Sequence, residues 1–347
     1  MDFAKLNGMI APLDASAMDN AQGRWNNIAK PIGSLGQLED TVVKLADITG
    51  TADVRIDKRA VLVLCADNGI LAQGVAQTPG EITAVMAGFI AQGRSAVGCM
   101  AKAVNADVIA VDMGMFRRVD ESGLLDRRVS DGTKDFSLAP AMTREQAMEA
   151  IQTGIDLVRD CKARGYQIIA TGEMGIGNTT TSSAIASVLL QRPVDEVTGR
   201  GVGLSDDGLD RKKAVIARAI EVNMPDAEDA LDVLHKLGGF DIAGMCGIFI
   251  GGAIYRIPVI IDGIISGVSA LVAARLCPAS VRCMFASHVS AEPAARLVLE
   301  ALDQKPLITA GMRLGEGTGA VAALSLFDMA LCVYRDLMTF ADIGMQP

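Results

Sequence analysis

The chain has 347 residues, of which half are apolar and only 4% are aromatic, and its formal net charge is −9. This length and apolar content allow a large core, and the scarcity of aromatic residues favours helices packed on a sheet over an all-β sandwich. The negative charge excludes broad nucleic-acid binding, which needs a basic surface. Lys and Arg are spread along the chain and form no basic tail.

Seven cysteines show neither a C-x-x-C pair nor the spacing of metal ligands, so we expect free thiols in a reducing cytoplasm and no metal site. The N-terminus lacks the continuous apolar stretch of a signal peptide. The most apolar region, 242–274, is interrupted by Arg256 and Asp262 into runs too short to span a bilayer. The sequence therefore predicts a cytoplasmic protein without a membrane partner.

The first 55 or so residues predict helices, the last of them amphipathic with Leu38, Val42 and Leu45 on one face. RAVLVLCADNGI, at 59–70, is a continuous apolar run that ends in Asp-Asn-Gly, as is typical of a parallel strand buried on both faces. A helical stretch follows from about Pro79 to Ala103. The segment ADVIAVDMGM, at 106–115, then repeats the strand pattern.

Strand-like and helix-like segments also alternate in the second half of the chain. Strand–loop–helix units of this kind predict a parallel sheet with right-handed crossovers. We predict helices at 144–165, 207–220, 229–239 and 267–276, and strands at 166–175, 252–263 and 278–287. An apolar C-terminal helix at 319–338 is expected to pack on the N-terminal helices. Acidic residues or glycine end several predicted strands, and in open parallel sheets the ligand binds outside this edge. These residues are Asp67, Asp112, Gly172 and Asp262.

GEMGIGNTTTSSA, at 172–184, resembles a phosphate loop that has lost its lysine. Gly172 and Gly177 have the spacing of G-x-x-x-x-G-K-[ST], but Asn178 stands where the lysine would be. Backbone N–H groups and threonine hydroxyls could still hold a phosphate at the start of the next helix. Phosphoryl transfer is disfavoured, because it needs a cation at the departing phosphate. An ordinary glycine-rich turn would have the same pattern.

Two further loops are rich in glycine. GRGVGLSDDG, at 199–208, precedes Lys212 and indicates either a second nucleotide contact or a plain flexible turn. In RLGEGTGA, at 313–320, Glu316 lies between two glycines that would let a substrate approach closely, and a partly desolvated Glu there could act as a general base. A solvent-exposed turn glutamate is the alternative. We assign His288 a structural role, because no G-x-S-x-G nucleophile motif accompanies it.

Taken together, these motifs resemble the nicotinate-nucleotide:dimethylbenzimidazole phosphoribosyltransferase family over almost the whole chain. The segments at 171–184 and 311–320 are the most specific. The matching segments are KPIGSLGQLE (30–39), ADNGI…GVAQTPGEIT (66–83), TGEMGIGNTTTSSA (171–184), GRGVGLSDDGLDRK (199–212), DGIISGVSAL (262–271), SHVSAEP (287–293) and GMRLGEGTGA (311–320).

The resemblance implies an α/β fold: a Rossmann-like parallel sheet flanked by helices in a large domain, 58–324, and a small helical domain formed by 1–57 and 325–347. It also implies a dimer, either a homodimer or a heterodimer with a homologous subunit. The implied reaction moves the ribose 5-phosphate of nicotinate mononucleotide to a nitrogen of 5,6-dimethylbenzimidazole or a related base. The products are an α-linked riboside phosphate and nicotinate, and no cofactor is required.

Residue roles carry over by matching motif. Glu316 takes the place of the general base and Glu173 that of a second carboxylate. The implied phosphate and ribose contacts are Gly175, Gly177, Asn178, Thr179, Thr180, Gly201, Gly203 and Ser290, and the implied base contacts are Met86, Phe89, Leu314 and Gly315.

The family often carries Gln where this chain has Met86, which leaves the acceptor open. Relatives that attach phenol or p-cresol work as pairs of unlike subunits, and a non-catalytic nucleotide-binding protein is a further alternative. The glutamate between two glycines argues against the latter, because binding alone needs no base.

Overall fold

The computed structural model describes residues 1–201 and 203–346. Three helices open the chain: α1 (Phe3–Met9), α2 (Ala15–Asn27) and α3 (Gln37–Thr49). Asp2 and Asp14 cap the first two through their side chains, and α3 ends at Gly50, whose φ of 73° places it in the left-handed region that glycine adopts without strain. These helices confirm the prediction for the N-terminal segment.

The core is a parallel sheet whose strand order is β3-β2-β1-β4-β5-β6. All eight residues of the strand beginning at Arg59 are buried, which explains its uninterrupted apolar sequence. The order reverses between the first and fourth strands, as in Rossmann-like folds, so the predicted fold class is confirmed. The strands are β1 (Arg59–Ala66), β2 (Ala106–Gly114), β3 (Leu124–Asp126), β4 (Ile168–Met174), β5 (Val259–Ile261) and β6 (Met284–Ala286).

Helices cover both faces of the sheet. Short 3-10 helices lie at Gly69–Gln73, Pro278–Cys283 and Ala341–Ile343. The connecting α-helices are α4 (Ile82–Ala91), α5 (Ala96–Ala103), α6 (Arg144–Ala163), α7 (Asn178–Leu189), α8 (Val194–Val197), α9 (Asp206–Asn223), α10 (Ala230–Leu237), α11 (Phe240–Tyr255), α12 (Ile264–Leu276), α13 (Ala294–Ala301) and α14 (Thr318–Asp336).

Three predicted elements differ from the structure. The stretch expected as one helix from Pro79 is two helices, α4 and α5, separated by a turn at Gly93 with φ 65°. The strand expected at 252–263 is confined to β5, because its first residues complete α11. The strand expected at 278–287 begins with a 3-10 helix and is confined to β6. Short apolar runs have the same pattern in a helix and in a strand, which accounts for the last two errors.

Glycines bring α6 and α11 unusually close. A Cβ at Gly154 would lie 1.9 Å from the carbonyl oxygen of Gly244, and a Cβ at Gly247 would lie 2.0 Å from that of Ile151. Each helix therefore presents bare backbone to the other, and α11 is buried on nearly every side beneath the sheet. This contact fixes the first turn of α11, where Asp241 lies.

The C-terminal helix α14 packs on α3, α5 and β4, as predicted. The ring centroids of Trp25 and Tyr334 are 5.0 Å apart, and Arg59 at the start of β1 pairs with Asp328. Among the described residues only α14 is long and apolar enough to cross a membrane, and its core contacts account for that composition. The division of the chain at 324/325 falls inside α14 and stays a prediction.

The predicted strand-end residues do share the carboxyl edge of the sheet, but in different surroundings. Asp112 pairs with Arg128 at 2.7 Å and has a structural role. Asp67 accepts from the backbone N–H of Phe116 at 2.7 Å, beside β2. Gly172 lies inside β4, so the glycine pair that suggested a phosphate loop is split between a strand and a turn. Of these three strand-end aspartates, only Asp262 lines the cavity described next.

Candidate active site

A cavity of ≈ 280 Å³ opens at the carboxyl ends of β4, β5 and β6. It has an apolar part and several carboxylates, with Arg313 as a cationic group on its wall. Most of the predicted site residues line it: Met86, Glu173, Gly175, Asn178, Thr179, Gly201, Ser290, Leu314, Gly315 and Glu316.

Four predicted contacts do not line the cavity. Gly177 instead caps α7 with φ 99°, and Thr180 is buried in the first turn of that helix. Gly203 is exposed on the second glycine loop, next to Val202, which lies outside the described residues. Phe89 is 37% exposed and lies under the guanidinium of Arg94, so on α4 it is Met86 that contributes to the wall.

Glu316 occupies a strained turn. Its φ is 61°, and Gly315 and Gly317 on either side have φ values of 89° and 97°. A non-glycine residue in the left-handed region costs about 1 kcal/mol, and such strain is concentrated at functional sites. A Cβ at Gly172 would lie 2.3 Å from the carbonyl oxygen of Glu316, so the turn rests directly on the backbone of β4. The sequence indicated the glycines, but only the fold shows that Glu316 itself is strained.

The carboxylate of Glu316 lies at the N-terminus of α5. Its Oε2 accepts from the backbone N–H of Val97 at 3.0 Å, and Ser95 caps the same helix. The N-terminus of a helix stabilises a negative charge. Oε1 accepts no hydrogen bond from the described part of the chain, which leaves it available to a ligand. The side chain is only 7% exposed.

Asp262, at the end of β5, holds the same loop from the other side. It accepts from the backbone N–H groups of Gly317, Gly319 and Ala320 at 3.3, 2.7 and 3.0 Å, at the start of α14. Burial raises its pKa to about 6, against the opposing effect of these hydrogen bonds. His288 packs on Gly319, where a Cβ would lie 2.0 Å from Nδ1, and it also lines the cavity, so its structural role stays a prediction.

Glu173 faces the glutamate loop from β4. A Cβ at Gly315 would lie 2.5 Å from its Oε1, so only glycine fits at that position. Its Oε2 accepts from Nδ2 of Asn178. Burial, and then the charge of Asp241, raise the pKa of Glu173 to about 8. The carboxyl is therefore largely protonated at neutral pH.

A buried lysine of α9 contacts the 172–184 loop. Nζ of Lys212 donates to Oγ1 of Thr179 at 2.9 Å and to the carbonyl oxygen of Gly199 at 3.0 Å. Lys212 is fully buried, and burial lowers its pKa to about 8. The charge of Glu292 opposes this shift only in part, and a phosphate at the start of α7 would add a further counter-charge for the amine. Sequence reasoning did not assign Lys212 to the site, although it ends the second glycine-rich segment.

Three loops meet around this lysine. A Cβ at Gly201 would lie 2.9 Å from Oγ1 of Thr179, and a Cβ at Gly199 would lie 2.0 Å from Oε2 of Glu292. The glycines therefore allow the loop before α9 to close on α7 and on the segment before α13. Within 1–201 and 203–346, no group of three or more His, Cys, Asp or Glu side chains could hold a metal ion.

The cavity thus has one end at Thr179, behind which the amine of Lys212 is buried, an apolar wall with Met86, Met174 and Leu314, and a carboxylate at Glu316. This arrangement can bind a phosphorylated ligand with an aromatic ring and accept a proton near that ring.

Comparison with known proteins agrees with this arrangement. A family model described as phosphoribosyltransferase matches residues 10–345. The chain is 45% identical to the nicotinate-nucleotide–dimethylbenzimidazole phosphoribosyltransferase of Acetivibrio thermocellus, over 96% of this chain and 95% of that protein. It is 42% identical to the protein of the same name from Ruminiclostridium cellulolyticum, over 100% and 98% of the two chains.

The chain belongs to the nicotinate-nucleotide–dimethylbenzimidazole phosphoribosyltransferase family. Its fold matches the crystal structure of CobT from Thermus thermophilus with a TM-score of 0.90 and 35% identity, covering 95% of this chain and 99% of that chain. The family resemblance seen in the motifs is therefore confirmed, and the protein is a phosphoribosyltransferase.

Proposed function

We propose that this enzyme transfers the ribose 5-phosphate of nicotinate mononucleotide to a ring nitrogen of 5,6-dimethylbenzimidazole or a related aromatic base. The products are nicotinate and an α-ribazole 5′-phosphate, used to assemble the nucleotide loop of cobamides. The observation that carries the proposal is the position of Glu316, strained and buried on the wall of a cavity that also reaches Thr179 at the start of α7, whose hydroxyl accepts from the buried amine of Lys212.

The bond that breaks joins C1′ of the ribose to the pyridinium nitrogen, and the bond that forms joins C1′ to the azole nitrogen. Nicotinate leaves with the electron pair of the broken bond, and its ring becomes neutral, so no general acid is needed. The azole loses one proton, which Oε1 of Glu316 accepts. Negative charge close to C1′ also favours the developing cation.

The 5′-phosphate takes no part in bond breaking. We place it between Thr179, Gly201 and the amine of Lys212, where backbone N–H groups, hydroxyls and one cation can hold it. This explains why the loop at 172–184 manages without the lysine of a phosphoryl-transfer enzyme. Ser290 lies on the wall of the same cavity and is assigned to the substrate.

We place the acceptor base against Met86, Leu314 and Gly315, on the apolar side of Glu316. Thioether and aliphatic groups select a flat aromatic ring by shape and offer no strong hydrogen bond. We also propose that the enzyme is a cytoplasmic homodimer and that 1–57 and 325–347 form a separate helical domain. The names of the relatives support the benzimidazole acceptor.

The test is to incubate purified protein with nicotinate mononucleotide and separately with 5,6-dimethylbenzimidazole, adenine, phenol and p-cresol, and to follow nicotinate release. We expect release with the benzimidazole and formation of the α-riboside phosphate. Release with phenols alone would contradict the proposed acceptor, and binding without release would contradict catalysis.

Glu316→Gln should keep the fold and reduce kcat by at least about 100-fold, the usual contribution of a general base. The change preserves the size of the side chain and removes only its basicity. Asp303→Asn, on the surface loop after α13, is the control and should leave kcat unchanged. Near-normal turnover in Glu316→Gln would overturn the assignment of the base.

A further inference from the structure

Two buried carboxyl groups share one amide. Nδ2 of Asn178 donates to Oε2 of Glu173 and, at 3.0 Å, to Oδ2 of Asp241. Asn178 is the first residue of α7, Glu173 is the next-to-last residue of β4, and Asp241 is in the first turn of α11. Three elements from different parts of the chain therefore meet at a single –NH2 group.

Asp241 does not touch the cavity. Its exposed fraction is 0%, and it does not line the wall, whereas Glu173 does. Its second oxygen, Oδ1, is buried without a hydrogen-bond partner in the described part of the chain. A buried polar atom left unpaired costs about 1–3 kcal/mol. Asp241 therefore lowers folding stability, although it does not touch the cavity. A buried unpaired polar group needs an explanation, and an effect of Asp241 on the site would provide one.

Gly239 and Gly175 pack closely against the carboxyl group of Asp241. A Cβ at Gly239 would lie 2.5 Å from Oδ1 of Asp241, and a Cβ at Gly175 would lie 3.2 Å from Oδ2. On the cavity side, Oε1 of Glu173 is the oxygen that Asn178 does not engage, and it lies next to Gly315. The geometry thus gives Glu173 an inner oxygen fixed by Asn178 and an outer oxygen beside the glutamate loop.

The charges around the pair favour one ionised and one neutral carboxyl. Burial raises the pKa of Asp241 to about 6, and burial followed by the charge of Asp241 raises that of Glu173 to about 8. Asp262 from β5 and Asp67 from β1 add negative charge near Glu173 and Asp241 respectively, and Cys65 beneath them is a neutral thiol. Glu316 belongs to the loop on the cavity side.

We propose that Asp241 is a positioning residue whose negative charge keeps Glu173 a neutral carboxylic acid, while Asn178 holds Oε2 of Glu173 in place and the O–H on Oε1 is directed toward the ligand. This inference rests on the proposed function, since the ligand is then an anionic nucleotide. Glu173 donates a hydrogen bond to an acceptor oxygen of the bound nucleotide instead of repelling it. Glu316 remains the only ionised carboxylate needed in the reaction, as the base.

The consequence is a pH dependence with a defined sign. When pH rises through the pKa of Glu173, the donor is lost and a second anion appears in the cavity, so kcat/KM for the nucleotide should fall on the alkaline side. Asp241→Asn removes the charge that holds the proton on Glu173. The alkaline limb should therefore move to lower pH by at least one unit, with activity at pH 6 kept within about fivefold.

Glu173→Gln provides the converse test. Its amide mimics the neutral acid: the oxygen can accept from Asn178, and the –NH2 can donate from the place of Oε1. Whatever its level of turnover, we expect this variant to lose the alkaline limb that Glu173 causes, and an unchanged alkaline limb would contradict the proposal. Asp47→Asn is the matched control, because Asp47 is a buried carboxylate that accepts from the N–H of Asp14 at 2.8 Å, at the opposite edge of the sheet.

A second measurement does not depend on activity. Infrared difference spectra of the protein without substrate should show a protonated carboxylic acid at pH 7 that is absent in Glu173→Gln and titrates at lower pH in Asp241→Asn. The proposal would be overturned if Asp241→Asn lowered kcat/KM by the same factor at every pH and left the alkaline limb at its wild-type position. Asp241 would then be a structural residue. An inactive wild type that still shows this infrared titration would overturn the proposed function alone.

Discussion

At the scale of single residues, the site combines costly features that a simple turn would not need. Glu316 has a left-handed backbone, and within the described part of the chain Glu173 is buried without a salt bridge and Lys212 donates only to neutral acceptors. Features of this kind are concentrated at functional sites, where a ligand or the reaction makes use of them. Under the proposed function, the substrate phosphate would be the counter-charge for Lys212.

Lys212→Met should raise KM for nicotinate mononucleotide by at least about tenfold, since a hydrogen bond to a charged group is worth about 1.5–3 kcal/mol. The effect on kcat should be smaller, because the phosphate binds equally in the ground state and the transition state. Lys213→Met is the control: its amine pairs with Asp195 at 2.9 Å on the surface. Steady-state kinetics of both variants check this, and a loss confined to kcat would contradict an inert phosphate.

At the scale of elements, the site depends on close packing behind it. The contact between α6 and α11 places the first turn of α11, and with it Asp241, under the carboxyl end of the sheet. The fit relies on bare backbone at Gly154 and Gly247. The elements that carry the site are thus positioned by residues that never touch a ligand.

Gly154→Ala should destabilise the protein by about 1–3 kcal/mol, the usual cost of overpacking, because the new methyl would lie 1.9 Å from the carbonyl oxygen of Gly244. Gly23→Ala in α2 is the matched control: nothing lies within 4 Å of the new Cβ, and the change should stabilise by about 0.5–1 kcal/mol. Urea unfolding measures both, and equal effects would refute the packing argument.

At the scale of the whole molecule, the acidic site is maintained at the expense of stability. Burial raises the pKa values of Glu173, Asp241 and Asp262 to about 8, 6 and 6. A carboxyl whose pKa is higher in the folded state binds its proton more tightly there, so folding stability falls as pH rises from the unfolded to the folded pKa. The sheet and its helices absorb this cost through their large core.

The free energy of unfolding should therefore fall by on the order of 1 kcal/mol between pH 6.5 and pH 8, mostly through Glu173. Below this window His288, whose pKa burial lowers, acts in the opposite direction, and above it Lys44 and Lys212 do so. Urea midpoints of the wild type and of Glu173→Gln at the two pH values test the prediction. An identical slope in both proteins would show that Glu173 is not responsible.

The sequence by itself determined the parallel α/β fold, the family and ten of the residues that line the cavity, because buried strands, glycine turns and the segments at 171–184 and 311–320 are local patterns. It misjudged the elements at 252–263 and 278–287, where short apolar runs do not distinguish a helix from a strand.

Only the tertiary structure decided that the amine of Lys212 lies beside Thr179, that Val97 and Asp262 hold the loop of Glu316, and that Asp241 lies behind Glu173. Each of these contacts joins residues far apart in the chain. Their strength depends on burial and distance, which the order of residues does not specify.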